Sequence, residues 1–421
     1  MSDKTIQSLT EKATLVAGDY FVVADSEDDY AWKKSWPSSF MWPFVTVWPA
    51  WYYANYVCDW VADNVQINAA IDYLYDLWWW TLLAKDWIYD IQWTIYIKAN
   101  VKVMCGHATV FRRNASFIWW WVKNIVELSW TDAQMRYWTV DWNSVAEPVG
   151  WDHSYNISLS WSWCILDSVR SIGAGDGIDS CIGIIWTSGS PIAHAIVRNC
   201  IAERNTNWHF YQTTYADFKI VNCQAIWWWS STVQDGFRTY ENSKWVISWC
   251  YAKQTRVWFQ SRPTGTRDVH FVDCHADTCF QHWFLAQATW TLVSGCSARD
   301  CLGRAIYMDW WHCTLEWFIA NRNVCWSSYC VTENTIWLTT ANGGDVYIAG
   351  NYNNISWVRW EGYSSSATWY CCIVEWAQNV VQSCAVYNSW FRRVYLYWAS
   401  NKVLIPVTQT VTDVWASNSV I

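Results

Sequence analysis

The triplet Cys-x-Ala is written five times between residues 200 and 298, starting at Cys200, Cys223, Cys250, Cys274 and Cys296. The intervals are 23, 27, 24 and 22 residues, and Phe318-Ile319-Ala320 adds a copy 22 residues further on with Phe in the Cys place. A fixed period of this size marks a repeat architecture. Each unit is too short to bury its own apolar face, so neighbouring units must stack into a solenoid.

The kind of solenoid follows from the runs that flank the Cys. A short β-rich run precedes it: Ala195-Ile196-Val197, Phe218-Lys219-Ile220-Val221, Val246-Ile247, Val269-His270-Phe271-Val272, Thr291-Leu292-Val293. A second follows 9 to 14 residues after it: Phe210-Tyr211, Phe237-Arg238-Thr239-Tyr240, Phe259-Gln260, Phe284-Leu285, Ala305-Ile306-Tyr307. Both are too short for helices, and their β-branched and aromatic content suits strands. Leu is too scarce for a leucine-rich repeat, and no helical periodicity runs between 194 and 330. The pattern predicts an all-β fold, a right-handed parallel β-helix with roughly 22 to 27 residues per coil.

In such a fold the Cys-x-Ala column is an internal ladder of small apolar groups, because a free Cys packs as a compact hydrophobe. Metal binding is the other use of Cys, but the 17 Cys include no paired C-x-x-C set. Disulfides between successive coils are sterically possible at the strand spacing of about 4.8 Å.

The chain has 421 residues and a net charge of −8 without a Lys/Arg cluster, which argues against duplex nucleic acid as a partner. Met1-Ser2-Asp3-Lys4 opens no apolar secretion signal, and the apolar stretch from Phe40 to Trp60 is broken by Pro43, Pro49 and Asp59, which argues against membrane insertion. The abnormal feature is 42 Trp against 16 Gly. A β-helix needs Gly where φ is positive, and Trp meets that demand poorly. The residue before the second strand is Gly177 or Gly236 in two coils but Trp258 or Trp283 in others. The residue before the Cys is Gly295 in one coil and Trp249 in another, and Trp runs at 78–80, 119–121 and 227–229 read as turns. Many Trp therefore stand where a coil would carry Gly. The functional reading of these rings, as sugar-stacking platforms, is set aside for individual Trp, because so many on a surface would promote aggregation.

Along the chain, residues 1–40 read as a small separate element and 41–58 as a connector. A helix is expected over about 64–77, with Asn64 as its cap, Ile67, Ile71 and Leu74 as its apolar stripe, and Asp72 and Asp76 facing away. A lone amphipathic helix there would close the open first coil. Coils are expected to about residue 405, irregular between 101 and 190, and residues 406–421 form a tail that is either a last strand or a trimer contact.

Two segments carry a family resemblance. Asp59-Trp60-Val61-Ala62-Asp63-Asn64 followed by Ile67-Asn68-Ala69-Ala70-Ile71 resembles the N-terminal signature of the pectate-lyase-like superfamily as found in bacteriophage tailspikes, with Trp60 in a Gly place. Residues Trp78-Trp79-Trp80-Thr81-Leu82-Leu83-Ala84-Lys85-Asp86-Trp87-Ile88-Tyr89 are similar to its Gly-Gly-Gly-x-Val-x-Leu-Pro-x-Gly-x-Tyr signature, with Trp at all four Gly positions, Ala84 for Leu and Lys85 for Pro. The resemblance covers roughly residues 55 to 400, and residues 5–40 separately resemble virion-anchoring segments. It implies a homotrimeric phage tail protein, assembled in the host cytoplasm and acting outside the cell. Its N-terminus would meet other virion tail proteins. Its partner would be a bacterial surface polysaccharide, bound and often cleaved without a cofactor.

Glycoside cleavage needs two carboxyl groups across the bond. The candidates are acids on or beside the second strand: Asp179, Asp235 and Asp309, read as sharing one face, with Asp176 and Glu333 at related edges. Arg238 and Arg256 are candidates for binding an acidic sugar or developing charge. Glu241, Tyr240 and Tyr307 complete the substrate-binding set, and Tyr211 is a further stacking candidate. Against each stands an ordinary reading: Asp before a strand is a turn residue, and Tyr is a common strand residue. His209, His270, His275 and His282 read as surface or turn residues, not metal ligands. Three functions fit: a glycan-binding and glycan-hydrolysing tailspike, a non-catalytic virion rod, and a polysaccharide lyase or epimerase.

Overall fold

The structure is a computed structural model. It describes residues 44–321 apart from 50–54, 59–60, 79–80, 115–122, 143–153, 175–180, 187–191, 206–207, 213–215, 228–234, 240–243, 256, 262–267, 279–281, 289, 301–303 and 309–311, and from 346 to 420 mainly the strands. The expected anchoring segment, residues 1–40, lies outside the described residues.

The chain winds into a right-handed parallel β-helix with three sheets. Sheet A has 16 described strands, sheet B 12 and sheet C 13, and every recorded pairing is parallel between one coil and the next. The runs before the Cys form sheet A and the second runs form sheet C. A third strand per coil went unread: the x-Ala-x that follows each Cys is itself sheet B, as in Ile201–Glu203, Gln224–Ile226 and Tyr251–Lys253. Three residues are too few to show alternation, so this strand has no periodic signal of its own. The expected connector contributes Phe44–Pro49 and Tyr56–Cys58 to sheet A, and the tail contributes Thr410–Asp413 to sheet C and Ser419–Val420 to sheet A.

Cys200, Cys223, Cys250, Cys274 and Cys296 are fully buried free thiols in one column, and burial pushes the Cys200 and Cys223 thiols up from their ordinary range. Ala202, Ala225, Ala252, Ala276 and Ala298 pair in register as the inward residues of sheet B. Opposite them, Phe210, Phe237, Phe259 and Phe284 stack with centroids 4.6, 5.0 and 4.8 Å apart and planes within 9° of parallel.

Left-handed φ recurs at the corners between the sheets, and after sheet B it is carried by Gly173, Arg204, Gln254, Thr278 and Asp300. Before sheet B the residues are Tyr137, Ser168, Asn199, Asn222, Trp249, Asp273, Gly295 and Trp317, with φ from 51° to 66°. Before sheet A they are Asn100, Asp132, Trp163, His194, Asp268, Trp290 and His312, from 57° to 64°. The corner N–H groups continue the ladder between coils, as in Asn199 N to Val221 O at 3.0 Å and Asn222 N to Ser248 O at 2.9 Å.

The helix Asn64–Asp76 covers the first coil with Ile67, Ala70, Ile71 and Leu74 buried and Asp72 and Asp76 exposed. Asn64 is not its cap. The N-cap is Asp63, without a side-chain cap bond, and both side chains turn outward to the sheets. Asp63 Oδ2 accepts from Asp90 N at 2.8 Å, Asn64 Oδ1 from Gln92 N at 3.0 Å, and Asn68 Oδ1 from Tyr96 N at 2.9 Å. Asp90 lies in the terminal strand of sheet B and Tyr96 in that of sheet C. Three side chains thus occupy edge donors that would otherwise invite another chain to pair. No described helix is long and apolar enough to cross a membrane.

Candidate functional site

Sheet C carries the candidate site because its strands turn one pair of positions outward. Trp208 pairs with Asp235, and Phe210 with Phe237, but position 209 between them makes no ladder pair. The same skip recurs at Asn156 and Gly183. The backbone kinks there, so His209 and Phe210 are both buried on the inside, while Trp208 and Tyr211 belong to a separate cluster with Tyr155 and Ile185.

The kink is held by polar groups. His209 Nε2 lies 3.1 Å from Ile226 O and its Nδ1 3.3 Å from Asp235 O. Asn156 does the equivalent work two coils earlier, donating from Nδ2 to Ile172 O at 2.9 Å. Gly183, between them, leaves the space that the Asn205 side chain fills, and Asn205 Oδ1 accepts from Ala174 N at 2.9 Å. His209 is therefore an interior strand residue rather than the expected surface or turn histidine, and burial lowers its pKa to about 4.

On the outward side, Asp235 is fully buried and Arg238 is 6% exposed. Arg238 Nη1 donates to Asp235 Oδ2 at 3.0 Å. The guanidinium lies 4.6 Å from the Trp208 ring centroid and 5.7 Å from that of Tyr211. Those two rings stack on each other at 4.1 Å and 19°. Gln260 is the ladder neighbour of Arg238 on the next strand, and Val257 that of Asp235. The result is a desolvated ion pair under two aromatic faces, beside a buried amide. Such a patch offers flat apolar area and charge-assisted hydrogen bonds together.

The sequence-predicted residues distribute as follows. Asp235 and Arg238 are brought together, as a pair with each other. Tyr307 occupies the Arg238 column three coils on, through Gln260 and Leu285, about 14 Å away at the strand spacing. Asp179, Asp309, Tyr240, Glu241 and Arg256 lie outside the described residues. Asp235 opens the strand Asp235–Thr239. Trp208 and Tyr155 went unnamed, and only the recurrence of a large residue two before the inward Phe or Ile hinted at them; Gln260, which follows the inward Phe259, was named as a strand residue and not as a site residue.

No protein-family model matches the chain, and no curated protein matches it in sequence. Solved structures do match. The Dettilon tailspike protein gp208 aligns over 81% of this chain and 68% of its own, at 12% identity and a TM-score of 0.60. The chain has a tailspike-type fold. The N-terminal fragment of bacteriophage Phi29 gene product 12 aligns over 86% of this chain and 68% of its own, at 11% identity and a TM-score of 0.53. A mutant tailspike of E. coli bacteriophage HK620, solved in complex with pentasaccharide, covers 86% of this chain and 74% of its own at 9% identity and a TM-score of 0.49.

Proposed function

We propose that this chain is a phage tail protein that binds a bacterial surface polysaccharide along the outward face of sheet C. The observation that carries the reading is the Asp235–Arg238 pair beneath Trp208 and Tyr211. Aromatic faces match the apolar faces of pyranose rings, and the ion pair and Gln260 match their hydroxyl groups. A homotrimer anchored through residues 1–40 to other tail proteins completes the proposal.

Depolymerase activity is the finer part of it. Glycoside hydrolysis needs a second carboxyl within about 5 to 10 Å of the first. Among the described strands of sheet C, Glu127 occupies the Arg238 column but stands four coils away, about 19 Å. It also accepts from Ser160 Oγ at 3.0 Å. Asp179 is our candidate partner, because it precedes the strand Cys181–Trp186 two coils from Asp235. Asp309, which follows the strand Arg304–Met308, is the other candidate. The virion-rod reading draws on one feature: Ile185, Val257 and Leu285 in the outward columns are buried. A rod predicts no glycan binding at all.

The test is incubation of the purified protein with bacterial capsule and lipopolysaccharide preparations, reading binding and new reducing ends. We expect binding, with any cleavage abolished by Asp235→Asn. Binding without new reducing ends refutes the depolymerase and keeps the receptor; no binding leaves the rod.

A further inference from the structure

Gln260 is 2% exposed, and its Oε1 accepts no hydrogen bond among the described residues. Buried acceptors are nearly always satisfied, and one that is not is a standing cost to stability unless something else fills it. Of its ladder neighbours, Leu285 is apolar and Arg238 directs Nη1 to Asp235. A hydroxyl group donates to such an oxygen and accepts from the amide nitrogen beside it. We infer that Gln260 is a subsite for a sugar hydroxyl, at the edge of the aromatic-roofed ion pair; this rests on the polysaccharide reading. The experiment compares the parent chain, Gln260→Leu and the closer-shaped Gln260→Met on an array of purified bacterial O-antigen and capsular polysaccharides, with thermal melting alongside. The expected result is a raised melting temperature in at least one variant, with affinity for the glycan that the parent binds reduced by about tenfold. Unchanged affinity in a folded variant overturns the subsite alone, as when a water satisfies Gln260. A parent that binds no glycan overturns the polysaccharide reading and the subsite with it.

A second inference rests on backbone geometry. Trp78, Trp163, Trp249, Trp290 and Trp317 have φ of 56°, 63°, 57°, 64° and 54°, and all five are exposed. Left-handed φ is an outlier for a bulky residue and native to glycine. Trp249 and Trp317 hold the same corner as Gly295, and the other coils fill that corner mainly with Asn or Asp. Trp163 and Trp290 share the other corner with Asn100, Asp132, Asp268 and His312. Trp78 opens the run that stands in the Gly-Gly-Gly place of the strand-turn signature. An exchange of one amino acid for one other, at separate turns with one geometric demand, has a common source in the codon. We propose that the organism that natively translates this gene inserts glycine at these five positions, reading as glycine a codon that is translated here as tryptophan. Peptide mass spectrometry of the native protein is the test, with Trp245, buried in the core against Phe218, as the internal control. Glycine at the five positions and tryptophan at 245 is expected; tryptophan at the five overturns the proposal. A chain carrying all five Trp→Gly changes is expected to melt higher than the tryptophan chain, despite losing the Trp290–His312 stack at 4.5 Å; melting no higher removes the strain argument.

Discussion

The two halves of the β-helix fill one cross-section in opposite ways. In the early coils the large inward side chain is on sheet B and the aliphatic one on sheet C: Tyr89 with Ile95, Phe111 with Val126. Val140 with Ile157 and Ser171 with Ile184 mark the crossover. In the later coils the sizes are exchanged, with Ala202, Ala225, Ala252 and Ala276 on sheet B facing Phe210, Phe237, Phe259 and Phe284 on sheet C. The aromatic geometry changes too. Tyr89–Phe111 and Phe111–Trp138 meet at 67° and 77°, whereas the later Phe rings lie flat on one another. Dense packing requires only that the volume across a coil be conserved.

The largest expected effect breaks that comparison on its later side. Phe237→Ala removes a ring held between two others and should cost about 3–5 kcal/mol in urea unfolding, against about 2 kcal/mol for Val140→Ala in the crossover region. Equal costs would mean that the stack contributes no more than any aliphatic contact. Next comes the outward face of the same coil. Arg238→Met alone strands the buried Asp235 carboxylate and should cost about 3 kcal/mol; adding Asp235→Leu should recover most of it. A double variant no better than the single one would refute a desolvated pair.

The third prediction compares His209 with Asn156. Burial holds His209 neutral down to about pH 4, while the unfolded chain protonates near 6.5. The unfolded state then binds more protons between those values, so stability is full above about pH 6.5 and falls as pH drops toward 4. The loss should be at most about 3 kcal/mol at 1.36 kcal/mol per unit. His209→Asn, which puts the Asn156 solution in the later coil, should flatten this part of the pH–stability profile; an unchanged slope would assign it to other groups. The smallest effect concerns a corner. Gly295→Ala places a Cβ at φ 66° and against the Asp273 carboxylate, and should cost about 1–2 kcal/mol by thermal melting.

The same comparison explains what could be read in the sequence. In the later coils identical residues recur at identical places, because thiols, methyl groups and rings stack on their own kind; Cys200 to Cys296 announced the fold. In the early coils Tyr89, Phe111, Val140 and Ser171 share one column but no chemistry, so those coils read as irregular. Sheet B escaped notice because one inward residue in three leaves no period. The site was legible only as Asp235 and Arg238 taken separately. Their pairing depends on the unpaired position at Gly236, the neighbour of His209, and a kink in backbone register leaves no mark in composition or spacing.

The side chains of Asp63, Asn64 and Asn68 give the molecule a polarity that its repeating coils lack. With the first strands of sheets B and C occupied in this way, a second copy finds no free template there. A defect in these contacts would surface as filaments joined head to tail rather than as a misfolded interior.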